Sequence, residues 1–345
     1  MYLASIDCGT TNSRVYIIDT KGNIVGKGSR RVGVRDTSMT GSKDTLKQGL
    51  AEALQEALDA AGLTLQDIAF AISAGMITSE IGLLEIPHLQ TPCGMKELAG
   101  NLKYCRDDSV FPVDLPIHFI PGIRNRFDPA STGSQQVGTL DFMRGEEVQV
   151  MGYLDRFGKS KPVVIVILSS HTKFIQVSKE GKVLKSLTSL SGQVYEAIRK
   201  ETFIGKSVQE QEGVVQPENY LDPDVVENAY HWQRTSGFVR SLLMIRFLDV
   251  LLHTSWYERR LFFESLIAAE DIHAFGQFEP EGQEKPHMVF IGPKGRCDVY
   301  AHLFEHKLGW PVTSIESISD TQVIDMLNIQ GSLAIARTAG LLHEE

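Results

Sequence analysis

The chain has 345 residues, long for a single hydrophobic core, so two domains are the expectation. Hydrophobic residues make up 42% and charged residues 22%, the balance of an ordinary globular protein, and a net charge of −9 argues against nucleic acid or an anionic membrane as the principal partner. Cys8, Cys93, Cys105 and Cys297 contain no Cys-x-x-Cys pair and are too few to staple a chain of this size, so free thiols in a reducing cytoplasm are expected.

Tyr2 to Asp7 reads as a strand that turns through Cys8-Gly9-Thr10-Thr11-Asn12 and returns as Arg14 to Asp19. Its opening residues show no basic segment followed by an apolar stretch, so no secretory leader is expected. Thr20-Lys21-Gly22-Asn23 turns into a third strand, Ile24 to Arg31. Ser42 is placed to cap a helix in which Leu46, Leu50, Leu54 and Leu58 form an i, i+4 stripe as far as Gly62. An apolar strand, Ile68 to Ser73, then runs towards Gly75. Pro112 to Asp141 reads as loop, and Gly145 to Tyr153 as the start of a helix with Glu146 and Glu147 in its first turn, where negative charge is favoured. Asp155 to Lys161 reads as a linker.

The second half opens at Pro162. Its longest strongly apolar run, Val163 to Leu168, is far too short to span a bilayer. A second set of hairpin strands ends near Leu190, and a long helical tract is expected from Asp224 to Ile272. A strand, His287 to Ile291, enters the turn Gly292-Pro293-Lys294-Gly295. Helices are expected over Asp298 to Leu308 and over Thr321 to Leu342, with Gly331 inside the latter. Three hairpin-linked strands followed by alternating helix and strand indicate α/β domains with mixed sheets.

The two halves match each other without a gap. Thr10-Thr11-Asn12-Ser13-Arg14-Val15-Tyr16-Ile17-Ile18 lies over Ser169-Ser170-His171-Thr172-Lys173-Phe174-Ile175-Gln176-Val177, and Lys21-Gly22-Asn23-Ile24 lies over Glu180-Gly181-Lys182-Val183. Two hairpins of shared composition can look alike, but here the polar turn positions agree in kind as well as the apolar ones. A duplicated meander presents two hydroxylated turns, and clustered backbone N–H groups in such turns bind phosphate oxygens. In Asp7-Cys8-Gly9-Thr10-Thr11-Asn12 the carboxylate can hold hydrated Mg²⁺ and Gly9 lets the backbone approach a phosphate, although Asp, Gly and Thr also build plain β-turns. The Gly292–Gly295 turn could pass beneath an adenine and ribose. A zinc-hydrolase His-Glu-x-x-His, a P-loop and a Gly-x-Gly-x-x-Gly dinucleotide loop are all absent from the sequence.

Asp-x-Gly-Thr-Thr in an N-terminal hairpin, repeated more weakly in the second half, resembles the phosphate signature of the actin, sugar kinase and Hsp70 ATPase superfamily. Within it the chain resembles the 2-dehydro-3-deoxygalactonokinase family at Ala74-Gly75-Met76, Ile120-Pro121-Gly122 and Met143-Arg144-Gly145-Glu146-Glu147-Val148-Gln149. The likeness continues at His171-Thr172-Lys173-Phe174, Leu190-Ser191-Gly192-Gln193, Phe290-Ile291-Gly292 and Gly331. The chain departs from the family where Leu168-Ser169-Ser170-His171 stands in place of Pro-Gly-Thr-His, where Gln193 replaces a Glu, and where Cys8 replaces a Trp.

The resemblance implies a two-domain actin-like ATPase fold of duplicated ribonuclease H-like halves, 1–158 and 159–345, facing each other across a nucleotide cleft. It implies ATP and Mg²⁺ as cofactors, with Asp7 at the metal and Gly9, Thr10, Thr11, Asn12, Ser169, Ser170, His171, Gly292 and Gly295 at the nucleotide. Glu146 is the expected base and Glu147 its alternative, since one of two adjacent helical residues can face the cleft while the other points about 100° away. Arg144, Gly75, Met76 and Gln193 are expected at the substrate, where a guanidinium can grip the carboxylate of a sugar acid. The implied reaction is phosphorylation of 2-dehydro-3-deoxygalactonate at its primary hydroxyl, giving the 6-phosphate. Another sugar or sugar acid, or a non-catalytic nucleotide-dependent sensor or assembly role, are the alternatives. The expected partner is a small-molecule sugar acid in the cytoplasm, without nucleic acid or membrane, and a homodimer is left open.

Overall fold

The computed structural model describes residues 1–158, 161–276, 285–307 and 312–342. Close contacts group the chain into two units, one of Met1–Ser160, Val177–Ser186 and Asp325–Glu345, the other of Lys161–Gln176 and Leu187–Ile324. The first break falls close to the expected 158/159 boundary, and two later segments are counted with the first unit. Within the expected linker, Asp155 to Phe157 are helical, while Lys159 and Ser160 lie outside the described residues.

The first unit opens with strands β1 (Tyr2–Cys8), β2 (Ser13–Asp19) and β3 (Ile24–Arg30), then helices α1 (Val34–Thr40) and α2 (Asp44–Ala61) and strand β4 (Ile68–Gly75). Short pieces follow: β5 (Leu89–Gln90), β6 (Cys93–Gly94), α3 (Met95–Gly100), β7 (Lys103–Cys105), β8 (Ile117–Phe119), β9 (Ile123–Arg124) and β10 (Phe142–Met143). Helix α4 (Glu146–Phe157) closes the run. The sheet order is β3-β2-β1-β4-β8-β7, with β1, β2 and β3 antiparallel and β1, β4 and β8 parallel. The leucine stripe of α2 is buried at Leu46, Leu50, Leu54 and Leu58, but the residue that caps the helix is Lys43 rather than the expected Ser42, whose Oγ accepts from Asp44 N–H at 3.1 Å. Pro112 to Asp141, read from the sequence as loop, contains β8 and β9. These strands are too short to leave an alternating pattern, and their pairing comes from β4 and β7 for β8 and from β5 and β10 for β9.

The strands of the second half repeat the plan of the first, although most of β13 is counted with the first unit. β11 (Val163–Leu168), β12 (Thr172–Val177) and β13 (Lys182–Ser189) precede helices α5 (Ser191–Glu201), α6 (Ile204–Ser207), α7 (Pro223–Ser236), α8 (Phe238–Val250) and α9 (Trp256–Phe275). Then come β14 (His287–Ile291), α10 (Lys294–Lys307) and β15 (Ser314–Ile318). Read outward, β13-β12-β11-β14-β15 copies β3-β2-β1-β4-β8, with β11, β14 and β15 parallel. Even the hairpin bonds recur. Gly22 N–H donates to Asp19 O at 3.0 Å and Gly181 N–H to Ser178 O at 2.9 Å, and both glycines take the left-handed φ the turn needs, +91° and +77°. The fold is thus a duplicated ribonuclease H-like α/β architecture, the actin-like plan.

The single helical tract expected over 224–272 is three helices. Gly237, at φ +77°, ends α7, and Ser255 Oγ starts α9 by accepting from Glu258 N–H at 3.4 Å. The final helix, α11 (Thr321–Thr338), stops short of Leu342 because the chain turns at Gly340, φ +73°. Helix α10 begins ahead of the expected Asp298, and Leu308 lies outside the described residues. In the first unit Gly152 of α4 and Gly331 of α11 allow the two helices to meet backbone to backbone. A Cβ on Gly152 would stand 1.8 Å from Leu327 O, and one on Gly331 1.9 Å from Val148 O. All four cysteines are free, and burial pushes the Cys8, Cys93 and Cys297 thiols up to about 12, which leaves them protonated and weakly nucleophilic at neutral pH. Among the described residues no helix is long and apolar enough to cross a membrane.

Candidate active site

Asp7 lies at the end of β1, opposite Arg14 in the register with β2 and opposite Ala74 in the register with β4. Arg14 Nη1 stands 3.8 Å from Asp7 Oδ2 and 3.8 Å from Asp325 Oδ1, so one guanidinium bridges two carboxylates. Asp325 Oδ2 also accepts from Tyr16 OH at 3.0 Å and from Lys27 Nζ at 3.4 Å. Loss of bulk water raises the Asp7 carboxyl above its ordinary value. Arg14 opposes the rise, and the Asp325 and Glu146 charges add to it. The side chain keeps 40% of its surface open, so the surrounding protein perturbs it without sealing it from solvent. The following turn is braced from behind. Gly9 N–H donates to Asn12 O at 2.9 Å, and Arg35 N–H of α1 donates to Thr10 O at 2.9 Å, which leaves Thr10, Thr11 and Asn12 exposed.

Two glycines bring the start of α4 to this strand end. Gly75, φ +90°, closes β4, and a Cβ there would stand 2.7 Å from Cys8 O. Gly145, φ +108°, precedes α4, and a Cβ on it would stand 3.3 Å from Gly75 Cα. This backbone contact seats Glu146 where its charge acts on Asp7. Glu147 turns the other way. It is 0% exposed, and both its oxygens accept from Gly145 N–H at 2.8 Å. Burial, with Glu146's charge added, raises the Glu147 carboxyl to about 8 against the opposing pull of the Gly145 bond and Arg144. Arg144 Nη1 donates to Thr78 Oγ1 at 2.8 Å and Nη2 to Ile86 O at 2.8 Å, tying the approach to α4 onto the short turn that Met76 begins.

The second hydroxylated turn is built differently. Ser169 N–H donates to His171 O at 3.2 Å, Ser170 Oγ lies 3.2 Å from His171 Nδ1, and Arg296 Nη1 of α10 donates to Ser169 O at 3.0 Å. Gly192 is pressed onto this turn, since a Cβ there would stand 2.2 Å from Ser169 O. Gln193 N–H donates to Ser170 O at 2.9 Å, while its side chain is exposed. Behind the turn Asp271, 1% exposed, accepts from Ser191 Oγ and from Tyr300 OH, and Tyr300 OH lies 3.4 Å from Thr172 Oγ1. Gly292 packs on Leu168, with a would-be Cβ 2.7 Å from Leu168 O. Gly295, in the first turn of α10, has open space where a side chain would be.

A family model described as 2-keto-3-deoxy-galactonokinase matches residues 7–323, from Asp7 into α11. The chain belongs to the 2-keto-3-deoxy-galactonokinase family. It is 27% identical over 211 residues to a protein of Rhizobium meliloti (strain 1021) named "Probable 2-dehydro-3-deoxygalactonokinase", a match covering 61% of this chain and 60% of the relative's length. It shares its fold with a solved protein of Sinorhizobium meliloti provisionally named a 2-dehydro-3-deoxygalactonokinase. That likeness has a TM-score of 0.72 at 21% identity and covers 97% of this chain and 98% of the other.

Within this galactonokinase-family chain, the first unit brings Asp7, Gly75 and Glu146 together at the end of β1, with the Gly9–Asn12 turn directly following Asp7. Met76 is partly buried against the unit's core, Arg144 is spent largely on structural bonds, and Glu147 is enclosed. Arg14 and Asp325 were not singled out from the sequence. Arg14 could have been, because a hairpin turning between Cys8 and Ser13 must pair it with Asp7. Asp325, far away in the chain, leaves no local signal. Arg296, Asp271 and Tyr300 were missed for the same reason.

Proposed function

We propose that the chain transfers the γ-phosphoryl group of ATP to a sugar acid, and that the acceptor is the primary hydroxyl of 2-dehydro-3-deoxygalactonate, giving the 6-phosphate. The observation that carries this reading is the Gly75–Gly145 contact, which sets an acidic helix start beside the Asp7 carboxylate. Phosphoryl transfer needs little from a protein beyond positioning, offsetting phosphate charge and a carboxylate to take the hydroxyl proton. Glu146 has that position. Glu147 shares a helix turn with it but is enclosed and bonded to Gly145, so its part is to hold the start of α4 in place. The Gly9–Asn12 and Ser169–His171 turns are the phosphate cradles in this reading, and the Gly292–Gly295 turn lies under the nucleoside.

Asp7 fits a hydrated Mg²⁺. It is partly open to water, and its carboxyl is raised in part by Asp325 and Glu146, a surplus of negative charge that a cation would offset. Among the described residues no group of three or more His, Cys, Asp or Glu side chains is gathered as a metal cage. Mg²⁺ in nucleotide sites commonly uses one or two carboxylates, with phosphates and water completing the shell. When bound, the ion would neutralise charge on the phosphates. Arg14 opposes the rise of the Asp7 carboxyl, and its Nη1, 3.8 Å from Asp7 Oδ2, is held at the same distance by Asp325 Oδ1.

A second acceptor has one observation behind it. With both Arg144 Nη atoms bonded to Thr78 and Ile86, the grip on a substrate carboxylate expected of this residue is weakened, which suits a different sugar acid. The deciding experiment is a phosphorylation screen of the purified protein with ATP and Mg²⁺ over hexonates and their 2-dehydro-3-deoxy derivatives. Turnover confined to 2-dehydro-3-deoxygalactonate supports the first reading, preference for another acid the second, and no turnover on any of them a non-catalytic role.

A further inference from the structure

Helix α8 is apolar around most of its circumference. Ser241 and Ile245 face the core of the second unit. On its outer side Val239 is 81% exposed, and the helix end runs into Leu251 and Leu252, 68% and 67% exposed. Arg240, Met244 and Phe247 line one wall of a cavity of about 530 Å³, with Trp232 of α7 and Glu258 of α9 on the others. Helices that are apolar on all sides are normally covered on all sides, and soluble monomers seldom leave a contiguous apolar patch bare.

We propose that this face is where two copies of the chain associate about a twofold axis. An isologous contact requires a surface that complements itself. Arg240 and Glu258 carry opposite charges on one cavity, and neither forms an ion pair among the described residues. The Arg240 guanidinium lies over the Phe247 ring, 5.1 Å from its centroid, and so is held at the cavity wall. Twofold pairing sets Arg240 against Glu258 of the partner subunit and forms the reciprocal pair by symmetry. Leu252 lines the recess and the exposed Leu251 precedes it, so the opposite charges sit within an apolar surface, as a self-complementary contact requires. A membrane-seeking helix would surround its apolar stripe with unpaired Lys and Arg, whereas Arg246 of α8 is bonded to Asp249 and Ser207. A stable homodimer takes roughly 800 Å² from each partner, and an apolar centre with a charged rim is the usual composition.

This contact is independent of the phosphoryl-transfer reading, and its test is the mass of the protein in solution. Sedimentation velocity over about 0.1 to 100 µM brackets a micromolar dissociation constant. The parent should sediment as a dimer. Val239→Glu, at an exposed position that leaves the monomer's core untouched, should weaken association at least tenfold, about the loss of one interface anchor. Arg240→Glu and Glu258→Arg should each weaken it, and the double reversal should restore it. As a second measure on the unaltered protein, the α8 amides should exchange more slowly as concentration rises. A parent that stays monomeric throughout, a dimer indifferent to all three substitutions, or α8 exchange independent of concentration in a dimeric parent would each overturn the proposal.

Discussion

Glu147→Gln should flatten the dependence of stability on pH. In the folded chain burial holds the Glu147 carboxyl up to about 8, whereas the unfolded chain titrates it near its ordinary 4.5. Between those values the unfolded state has released a proton that the folded state retains. The stabilisation is therefore complete below pH 4.5, falls as pH rises, and is exhausted above about pH 8. At 1.36 kcal/mol for each pH unit the span corresponds to about 5 kcal/mol, an upper bound that relaxation around the charge reduces. Gln has the same shape and no charge, and its carbonyl can still accept from Gly145 N–H. Its NH₂, however, replaces the second oxygen that accepts this N–H, and a buried amide donor without an acceptor costs about 1–3 kcal/mol.

The variant should therefore be the less stable protein at about pH 5 and should match or overtake the parent by about pH 8.5, a crossing that a change in packing alone cannot produce. Urea denaturation of both proteins at several pH values measures it. Titrations common to the two cancel in the difference, so the slope of that difference reports Glu147 alone. Parallel stability curves, with a difference constant to about 0.5 kcal/mol from pH 5 to 8.5, would refute the reasoning.

Three further outcomes concern turnover. Asp7→Asn should leave the fold intact, since the amide relieves repulsion from Asp325 and Glu146, yet nearly abolish ATP-dependent turnover; activity within a few-fold of the parent would remove Asp7 from the metal site. Glu146→Gln should lower kcat by about 100-fold or more with little change in nucleotide affinity, and Glu147→Gln should lower it far less, the reverse ranking moving the base to Glu147. Arg296→Ala removes the bond from α10 to Ser169 O and should raise KM for ATP roughly tenfold with kcat little changed, whereas an equal fall in kcat would place Arg296 in the chemistry itself.

Much of the fold was legible because the duplication is written in the chain. The offset that lays Thr10 on Ser169 carries β2 onto β12 and β3 onto β13, and it matches the hairpin glycines Gly22 and Gly181. What hid were elements whose reason lies elsewhere in the chain. β9 pairs with β5 and β10 at two residues each, too few for a pattern to show. In the site, the adjacent Glu146 and Glu147 look equivalent in sequence. They are separated by the positive φ of Gly145, which fixes the direction in which α4 sets out and buries one carboxylate while keeping the other near Asp7. Arg144 read as a substrate ligand because it precedes the acidic pair, but its partners at Thr78 and Ile86 are brought in by the chain between β4 and β5.

The placement of Glu146 has a cost that the rest of α4 must offset. The Glu146 charge adds to the rise of the Asp7 carboxyl, a repulsion that a freely jointed helix start would relieve by swinging away. Three contacts prevent this, and all reach the backbone. Gly145 rests on Gly75, the Glu147 side chain folds back onto Gly145 N–H, and at Gly152 the helix meets Gly331 of α11 too closely for any side chain to intervene. Backbone contacts have little room to yield, because a Cβ at Gly152 or Gly331 would stand within 2 Å of a carbonyl oxygen. Helix α11 also carries Asp325, the second carboxylate on Arg14. The crossing that fixes Glu146 therefore fixes the counter-charge to Arg14 as well, which couples the geometry of the acid to that of Asp7 through one pair of helices.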